Sequence, residues 1–161
     1  MKIILCDLNA TLSRNFRDVF AAAGPLRMAR TILEVEQYRP ELVEWLSEAG
    51  RHGWETHLFT VRDARWAETT LESIRSKTGW QPDNWWFNDT QIPGKEAARV
   101  KEALFDRVLV ECASSGLFGL ESNDAVRRMY RRRHVACQRG TEPLPGMAEV
   151  EELGRWPPRA A

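Results

Sequence analysis

Polar residues whose types suit chemistry on a phosphate ester stand at the ends of short apolar runs in this sequence. They are Asp7, Thr60, the Asn88-Asp89 pair and Glu121. A carboxylate nucleophile divides the cleavage of a phosphate ester into two easier steps through an aspartyl-phosphate. Because a carboxylate and a phosphate dianion repel each other, this chemistry also needs a divalent cation and a lysine that neutralise the charge. The carboxylates among these residues are therefore candidates for such chemistry or for metal binding if the fold brings them to one place.

The apolar runs before these residues have the length and composition of buried strands, and helical patterns separate them. We predict strands over 3–6, 54–60, 85–87, 117–120 and 134–138, and helices over 40–53, 62–79, 96–105 and 124–133. Strands that alternate with helices are typical of a parallel sheet covered on both faces. Ligands of such a sheet bind beyond the carboxyl ends of the strands, where the strand order switches. The predicted fold class is therefore α/β.

Composition fits one ordinary globular domain. Of the 161 residues, 43% are hydrophobic and 29% are charged, which is enough to bury a core without disulfides or a structural metal. The 23 basic and 23 acidic residues balance, so no global field favours nucleic acid or an anionic membrane. We predict a domain over 1–140 and a proline-rich tail over 141–161 that packs on the domain or is partly disordered.

The cysteines and the first residues favour a reducing compartment. Cys6, Cys112 and Cys137 form no CxxC pair and have no zinc-type spacing with the histidines. The apolar run before Asp7 is too short for a signal peptide or a membrane span. The expected location is the cytoplasm, with no membrane partner.

Four short segments, in order along the chain, resemble the motifs of the haloacid dehalogenase (HAD) superfamily. The segment Asp7-Leu8-Asn9-Ala10-Thr11-Leu12 is similar to the family's DxDGT after its first strand, and Thr60 ends the strand of the second motif. A helix-borne lysine is the third motif, and residues 119–124 resemble a relaxed form of the acidic fourth motif. The resemblance covers nearly the whole chain. It implies a Rossmann-like three-layer sandwich of HAD type, with a mainly parallel sheet and little or no cap.

The resemblance also implies a Mg²⁺-dependent phosphate monoester hydrolase with Asp7 as its nucleophile. In the family, the first aspartate, a backbone carbonyl two residues later and an acid of the fourth motif hold the metal. The matching positions are Asp7, Asn9 and Glu121, and Asp124 would act directly or through water. Hard oxygen ligands of this kind suit Mg²⁺. Thr60 would donate its hydroxyl to a phosphate oxygen, as the second motif does in the family.

Two lysines compete for the third motif. Lys101 lies on a helical pattern, whereas Lys95 stands in the turn-like segment IPGK. We favour Lys101 as the catalytic lysine, because its helix leads into the strand that ends at Glu121, and we assign Lys95 to substrate binding. Other candidate substrate contacts are Thr11 within the first motif and, just beyond the first two motifs, Arg14, Arg17 and Arg62.

Asn9 departs from the family pattern at a position that matters for the chemistry. Family phosphatases have an aspartate there, which protonates the leaving group and then activates water, and general acid–base catalysis typically contributes about 10²–10⁴-fold. An amide cannot carry a proton at neutral pH. Three interpretations follow: a slow or specialised phosphatase, a different reaction of the superfamily, or a binding protein whose site is impaired or was altered to trap an intermediate.

The spacing between the motifs is too short for a folded cap. Residues 12–38 leave room for a helix and a short excursion, and the gap from Thr60 to Lys101 is similarly modest. Capless family members generally have open sites that accept large substrates or use a neighbouring subunit as a lid. The expected partner is a phosphorylated small molecule or nucleotide. Homo-oligomerisation is left open, and nucleic acid is not favoured.

Each feature also has a purely structural interpretation. Asp7 fits a turn or N-cap residue, Glu121 fits a cap of the following helix, and Lys101 fits a solvated helix lysine. The arginines of the 124–133 helix fit a phosphate-backbone contact, but a solvated face is the usual fate of such a run. We predict a phosphatase. The alternatives are a catalytically weak phosphate- or nucleotide-binding module and a phosphatase of nucleic-acid ends.

Overall fold

A five-stranded parallel sheet forms the centre of the fold. The structure is a computed structural model, and it describes residues 1–22, 24 and 27–157. The strands are Lys2–Cys6 (β1), Glu55–Asp63 (β2), Asn84–Asn88 (β3), Gly116–Leu120 (β4) and Ala136–Gln138 (β5). They lie in the order β3-β2-β1-β4-β5, and neighbouring strands are parallel throughout this sheet.

Seven α-helices surround the sheet in the described part of the chain. They are Phe16–Ala22 (α1), Met28–Glu34 (α2), Pro40–Arg51 (α3), Ala67–Thr78 (α4), Ala97–Glu111 (α5), Asp124–Arg132 (α6) and Met147–Leu153 (α7). A 3-10 turn over Ala64–Trp66 precedes α4. None of the described helices combines the length and the apolarity that a membrane span requires.

Side chains that alternate along β1 enter two separate cores. Ile4 and Cys6 pack with residues of α3, α4 and α7, whereas Ile3 and Leu5 pack with residues of α5 and α6. The sheet is therefore buried on both faces, as a central parallel strand with a continuous apolar run requires. This arrangement confirms the predicted Rossmann-like three-layer α/β sandwich.

Local chemistry explains where several helices begin and end. Pro40 is the first residue of α3, a position where its fixed φ suits the helix and its missing N–H leaves no partner unsatisfied. Gly79 ends α4 with a φ of 72°, in the left-handed region that glycine adopts readily. The side chain of Asn123 accepts hydrogen bonds from the backbone N–H groups of Ala125 and Val126 and so starts α6.

The end of β2 differs from the prediction. The helix predicted over 62–79 starts only at Ala67, because β2 continues through Asp63, which pairs with Asn88 of β3. Arg62 therefore belongs to a strand of the sheet rather than to the predicted helix, and it is 2% exposed.

Two further predicted boundaries are wrong. The strand predicted over 134–138 starts at Ala136, since His134 adopts a φ of 56° in the turn after α6. The helix predicted over 96–105 continues to Glu111, because its apolar face still buries side chains against the sheet in its last turns.

The segment between β1 and α3 is a small insertion. It holds two helices of 7 residues each, α1 and α2. Val19, Met28 and Ile32 form a small buried cluster between these helices, and the hydroxyl of Ser73 on α4 donates to the carbonyl of Ile32. An insertion of this size leaves the fold with little or no cap.

The segment after residue 140 adds α7 to one face of the sheet. Met147 and Val150 of this helix are buried in the same core as Ile4, and Nε1 of Trp45 donates to the carbonyl of Pro145 over 2.8 Å. Residues 158–161 of the predicted tail lie outside the described residues.

Candidate active site

Asp7 and Glu121 meet at the edge of the sheet where the strand order switches. Asp7 follows β1 and Glu121 follows the neighbouring β4, and the backbone N–H of Asp7 donates to the carbonyl of Leu120 over 2.9 Å. Asp7 is 4% and Glu121 2% exposed. The carboxyl edge of a parallel sheet is the usual place for ligands, so two buried carboxylates there form a candidate active site.

Lys101 of α5 links these two carboxylates. Its Nζ donates to Oδ1 of Asp7 over 3.0 Å, to Oε2 of Glu121 over 2.9 Å and to the carbonyl of Phe59 over 2.5 Å. All three donors of the ammonium group are therefore used. The structure thus brings Lys101 into the site, whereas Lys95 is exposed on the loop before α5.

Thr11 holds the second oxygen of Asp7. Its hydroxyl Oγ1 donates to Oδ2 of Asp7 over 2.9 Å and lies 3.2 Å from Oγ of Ser122. The turn between them includes Ala10 with a φ of 63°, where the family pattern has glycine. A left-handed alanine is strained by about 1–2 kcal/mol, and the hydrogen bond from Leu12 N–H to the Asp7 carbonyl closes the turn around it.

The charges of this cluster do not balance. Two carboxylates and one ammonium group give a net charge of −1 when all three are ionised. Burial and the nearby Glu121 raise the pKa of Asp7 to about 7, against the opposing effect of Lys101. Burial works against the charge on Lys101, but Asp7 and Glu121 outweigh it and raise its pKa. A cation bound beside the carboxylates would remove the excess negative charge.

The donor set around Asp7 suits a hard divalent cation. The carboxylates of Asp7 and Glu121 and the carbonyl of Asn9 supply oxygen atoms, and that carbonyl accepts only a 3.3 Å hydrogen bond from Ser122 Oγ. Within residues 1–22, 24 and 27–157, no three His, Cys, Asp or Glu side chains are placed to hold a metal together. Mg²⁺ keeps several waters and needs one or two carboxylates, so this donor set fits Mg²⁺.

Asp124 lies apart from the two buried carboxylates. Its side chain is 63% exposed and pairs with Arg139 and, over 3.5 Å, with Arg127. It does not line the cavity beside Asp7, whereas Ser122 does. The structure therefore does not bring Asp124 together with the other predicted metal ligands.

Thr60 lies within β2, close in sequence to Phe59, whose carbonyl accepts from Lys101. The residue is fully buried, and its Oγ1 accepts a hydrogen bond from the backbone N–H of Arg62 over 3.1 Å. It does not line the cavity that borders Asp7. A direct contact between Thr60 and a phosphate group stays a prediction.

Arg62 forms a buried ion pair that reaches Asn9. Its guanidinium donates to both carboxylate oxygens of Glu36, over 2.9 and 2.6 Å, and both side chains are 0% exposed. The same Nη2 donates to Oδ1 of Asn9 over 3.1 Å, and Nη1 donates to Oγ1 of Thr70 over 3.0 Å. Arg62 was predicted to contact substrate. In the structure its guanidinium pairs with Glu36 and fixes the amide of Asn9, and a contact with substrate stays a prediction.

Two cationic side chains border the open side of the site. A cavity of about 530 Å³ adjoins Asp7, Lys101 and Glu121, and Arg17 of α1 and Lys95 of the loop before α5 also line it. Among the described residues neither side chain pairs with an acidic group, which leaves both available to an anion. The predicted contact Arg14 lies elsewhere, on a separate cavity of about 630 Å³ that Lys77 and Tyr38 also line.

Sequence reasoning missed Glu36 and Gly140. Glu36 stands in the segment LEVEQY, where nothing distinguishes it from a surface acid, and only the fold shows that Arg62 is its partner. Gly140 packs against Thr11, and no turn signal marks it as a site residue.

We predict that Gly140→Ala lowers the free energy of unfolding by about 1–3 kcal/mol, the usual range for overpacking. A Cβ at this position would lie 2.7 Å from Cγ2 of Thr11, whose hydroxyl holds Asp7. Urea denaturation measures the effect. Gly146→Ala is the matched control, since a Cβ there meets nothing within 4 Å, and it should change stability by less than about 0.5 kcal/mol. Equal stabilities of the two variants would contradict the packing of Gly140 on Thr11.

Comparisons with known proteins identify the fold. Neither a family model nor a curated protein matches the chain. A chain of the Pnkp1/Rnl/Hen1 RNA repair complex is similar to it with 20% identity and a TM-score of 0.62, over 86% of this chain and 42% of that one. A chain in a second Pnkp1/Rnl/Hen1 structure has 22% identity and a TM-score of 0.66, over 86% and 44%. This chain therefore spans less than half the length of those two chains.

A third solved structure is similar over almost its whole length. A candidate β-phosphoglucomutase from Thermotoga maritima has 12% identity and a TM-score of 0.58, over 97% of this chain and 93% of that one. At such identities the likeness shows the fold alone. The fold is a Rossmann-like α/β sandwich with a parallel sheet, which these three structures share.

Proposed function

We propose that this chain is a Mg²⁺-dependent phosphate monoester hydrolase that works through an aspartyl-phosphate on Asp7. The observation that carries the proposal is the bridge from Lys101 to Asp7 and Glu121, buried at the strand switch and open to a cavity. A structural ion pair has no need of a second carboxylate, a net negative charge or a position at the ligand edge of the sheet.

Asp7 is the nucleophile of the proposed reaction. One of its carboxylate oxygens forms a bond to phosphorus while the ester bond from phosphorus to the leaving oxygen breaks. Water then attacks the aspartyl-phosphate, which releases inorganic phosphate and restores the carboxylate. Lys101 and Thr11 orient Asp7, and Arg17 and Lys95 attract the phosphate from the rim. Mg²⁺, held by Asp7, Glu121 and the carbonyl of Asn9, would neutralise the charge that develops on the phosphate.

Asn9 limits how fast this reaction runs. Its Oδ1 accepts from Arg62, so the amide N–H₂ is the part left to meet a leaving group, and an amide can orient that group without giving it a proton. The leaving oxygen must therefore take its proton from solvent. Esters with good leaving groups should react fastest. The same observation favours a second candidate, a catalytically weak module that binds a phosphate or a nucleotide.

Phosphate release tests the proposal directly. The substrates are nucleotides, sugar phosphates and an activated aryl phosphate, each with and without Mg²⁺. We expect Mg²⁺-dependent release that is fastest with the aryl phosphate. If no substrate releases phosphate, the hydrolase proposal is wrong and the binding module becomes the better account.

We predict that Glu121→Gln raises the Mg²⁺ concentration for half-maximal activity by at least about tenfold, because it removes one of two buried carboxylates at the proposed metal site. Asp124→Asn is the comparison, since Asp124 is exposed and paired with Arg139. We expect it to shift the Mg²⁺ dependence much less. A larger shift in Asp124→Asn than in Glu121→Gln would show that the metal binds at Asp124 rather than at Glu121. Mg²⁺ titrations of the rate provide both values.

A further inference from the structure

A second cavity continues from the candidate site. It has a volume of about 550 Å³, and it shares Asn9, Phe16, Val61 and Gly94 with the cavity beside Asp7. This size lies within the usual range for small-molecule sites. A substrate whose phosphate lies in the first cavity can therefore extend its other end into the second. In a phosphate ester, that end is the leaving group.

One wall of the second cavity is aromatic. Phe16 and Phe20 of α1 line it. The centres of their rings are 6.5 Å apart, and the rings meet edge to face. Phe20 is 38% exposed, although a phenylalanine is normally buried, and the guanidinium of Arg62 lies 5.3 Å from its ring centre. The guanidinium that Glu36 holds thus lies against the ring of Phe20, and this ring lines the cavity.

A loop that hydrogen bonds hold in shape forms another part of the lining. Nδ2 of Asn88 donates to the carbonyl of Ile92 over 2.9 Å, and Oδ1 of Asn88 accepts from the backbone N–H of Thr90 over 3.1 Å. Gly94 packs so closely on β2 that an added Cβ would lie 3.1 Å from the carbonyl of Val61. Ile92 and Pro93 therefore face the cavity from a preorganised loop.

Together these residues form an aromatic cleft, defined by Phe16, Phe20, Val61, Ile92 and Pro93. Polar groups border it on one side: Asp63, Asn88, Thr90 and Gln91. A flat aromatic ligand needs an apolar face to stack on and polar groups near its edge, and the cleft offers both. A nucleobase has this shape, since its ring stacks on aromatic side chains and its edge carries donors and acceptors.

We propose that the aromatic cleft binds the base of a nucleoside monophosphate unit whose phosphate lies beside Asp7. This inference rests on the proposed function for the position of the phosphate. The unit could come from a free nucleotide or from the end of a nucleic-acid strand, because both present the same base and terminal phosphate.

The test compares Phe20→Ala with Leu33→Ala, a control at a side chain that is 39% exposed on α2 and does not line the cleft. The substrates are 3′- and 5′-nucleoside monophosphates and acetyl phosphate, which has no base. Stacking of one base typically contributes about 1–3 kcal/mol, so kcat/KM of Phe20→Ala on the nucleotides should fall roughly tenfold. Its kcat/KM on acetyl phosphate, and both values of Leu33→Ala, should stay within about twofold of the native chain. If Phe20→Ala lost kcat/KM equally on nucleotides and on acetyl phosphate, the proposal that the cleft binds the base would be wrong.

A binding measurement separates failure of this inference from failure of the hydrolase proposal. Calorimetry with the same nucleoside monophosphates needs no turnover, and Phe20→Ala should weaken binding about tenfold even if the native chain releases no phosphate. If the native chain hydrolyses acetyl phosphate but binds no nucleotide, the proposal of a base-binding cleft is wrong and the hydrolase proposal stands. Oligonucleotides with a terminal phosphate distinguish the two sources: tighter binding than the mononucleotide indicates a strand end, and equal or weaker binding indicates a free nucleotide.

Discussion

Asp7→Asn is expected to abolish Mg²⁺-dependent phosphate release, with a loss on the order of 10⁴-fold or more. A nucleophile acts together with the groups around it. When it is removed, only the small rate enhancement that comes from substrate binding remains. The asparagine has nearly the same shape as the aspartate and keeps an oxygen for the hydroxyl of Thr11. It cannot form the aspartyl-phosphate, so the effect falls on kcat.

Two controls make this result specific. Asp106→Asn removes a carboxylate that is 60% exposed on α5 and pairs with Arg133, and it should leave the rate within about twofold. Binding of a phosphate ligand to Asp7→Asn, measured by calorimetry, should persist, since the charge that repels the phosphate is gone. Full activity in Asp7→Asn would assign the nucleophile to another group or to water. Loss of both binding and folding would show only that Asp7 is structural.

The fold was predictable because its signals are local. The run from Ile3 to Cys6 indicates a buried strand by its length and apolarity, and the structure buries its side chains in the two cores on either face of the sheet. Asp7 and Thr11 also lie within one turn, so their contact depends on no distant part of the chain. Among the site residues, those at strand ends are the ones whose proximity the sequence predicts best.

Other parts of the site depend on contacts that spacing does not encode. Arg62 lies two residues beyond Thr60 and was expected on a helix, but β2 continues through it and turns its side chain towards Glu36. Both acids of the fourth motif follow β4, yet the start of α6 carries Asp124 outwards to Arg139, while Ser122 stays at the site. Tertiary packing determines these side-chain directions, and the spacing of residues in a single sequence does not predict them.

Lys101→Met is expected to lower the free energy of unfolding by roughly 3–5 kcal/mol, the usual result when one partner of a buried charge cluster is removed. Methionine fills a similar volume, so the main change is electrostatic. Asp7 and Glu121 would face each other in the protein interior without a cation, and the carbonyl of Phe59 would lose its donor. Urea denaturation without Mg²⁺ measures the difference. Phosphate release should also be lost, because no ammonium group remains to orient Asp7.

Lys95→Met is the matched control for this effect. Lys95 is exposed at the rim of the same cavity, so its replacement should change stability by less than about 0.5 kcal/mol and act on the KM for substrate. The double variant with Lys101→Met and Glu121→Gln should recover part of the lost stability, since only one buried carboxylate remains. Lys101→Met as stable as Lys95→Met would mean that the buried charge cluster does not exist in solution.

Mg²⁺ provides the final test of the same charge argument. A ligand that binds only the folded state stabilises it in proportion to the logarithm of its concentration above Kd. We expect added Mg²⁺ to raise the stability of Lys101→Met and of the native chain, because a divalent ion between Asp7 and Glu121 replaces or supplements the ammonium group. In the double variant, which keeps a single buried carboxylate, the gain should be smaller. An equal gain in all three would place the ion elsewhere on the protein and separate the charge cluster from the proposed metal site.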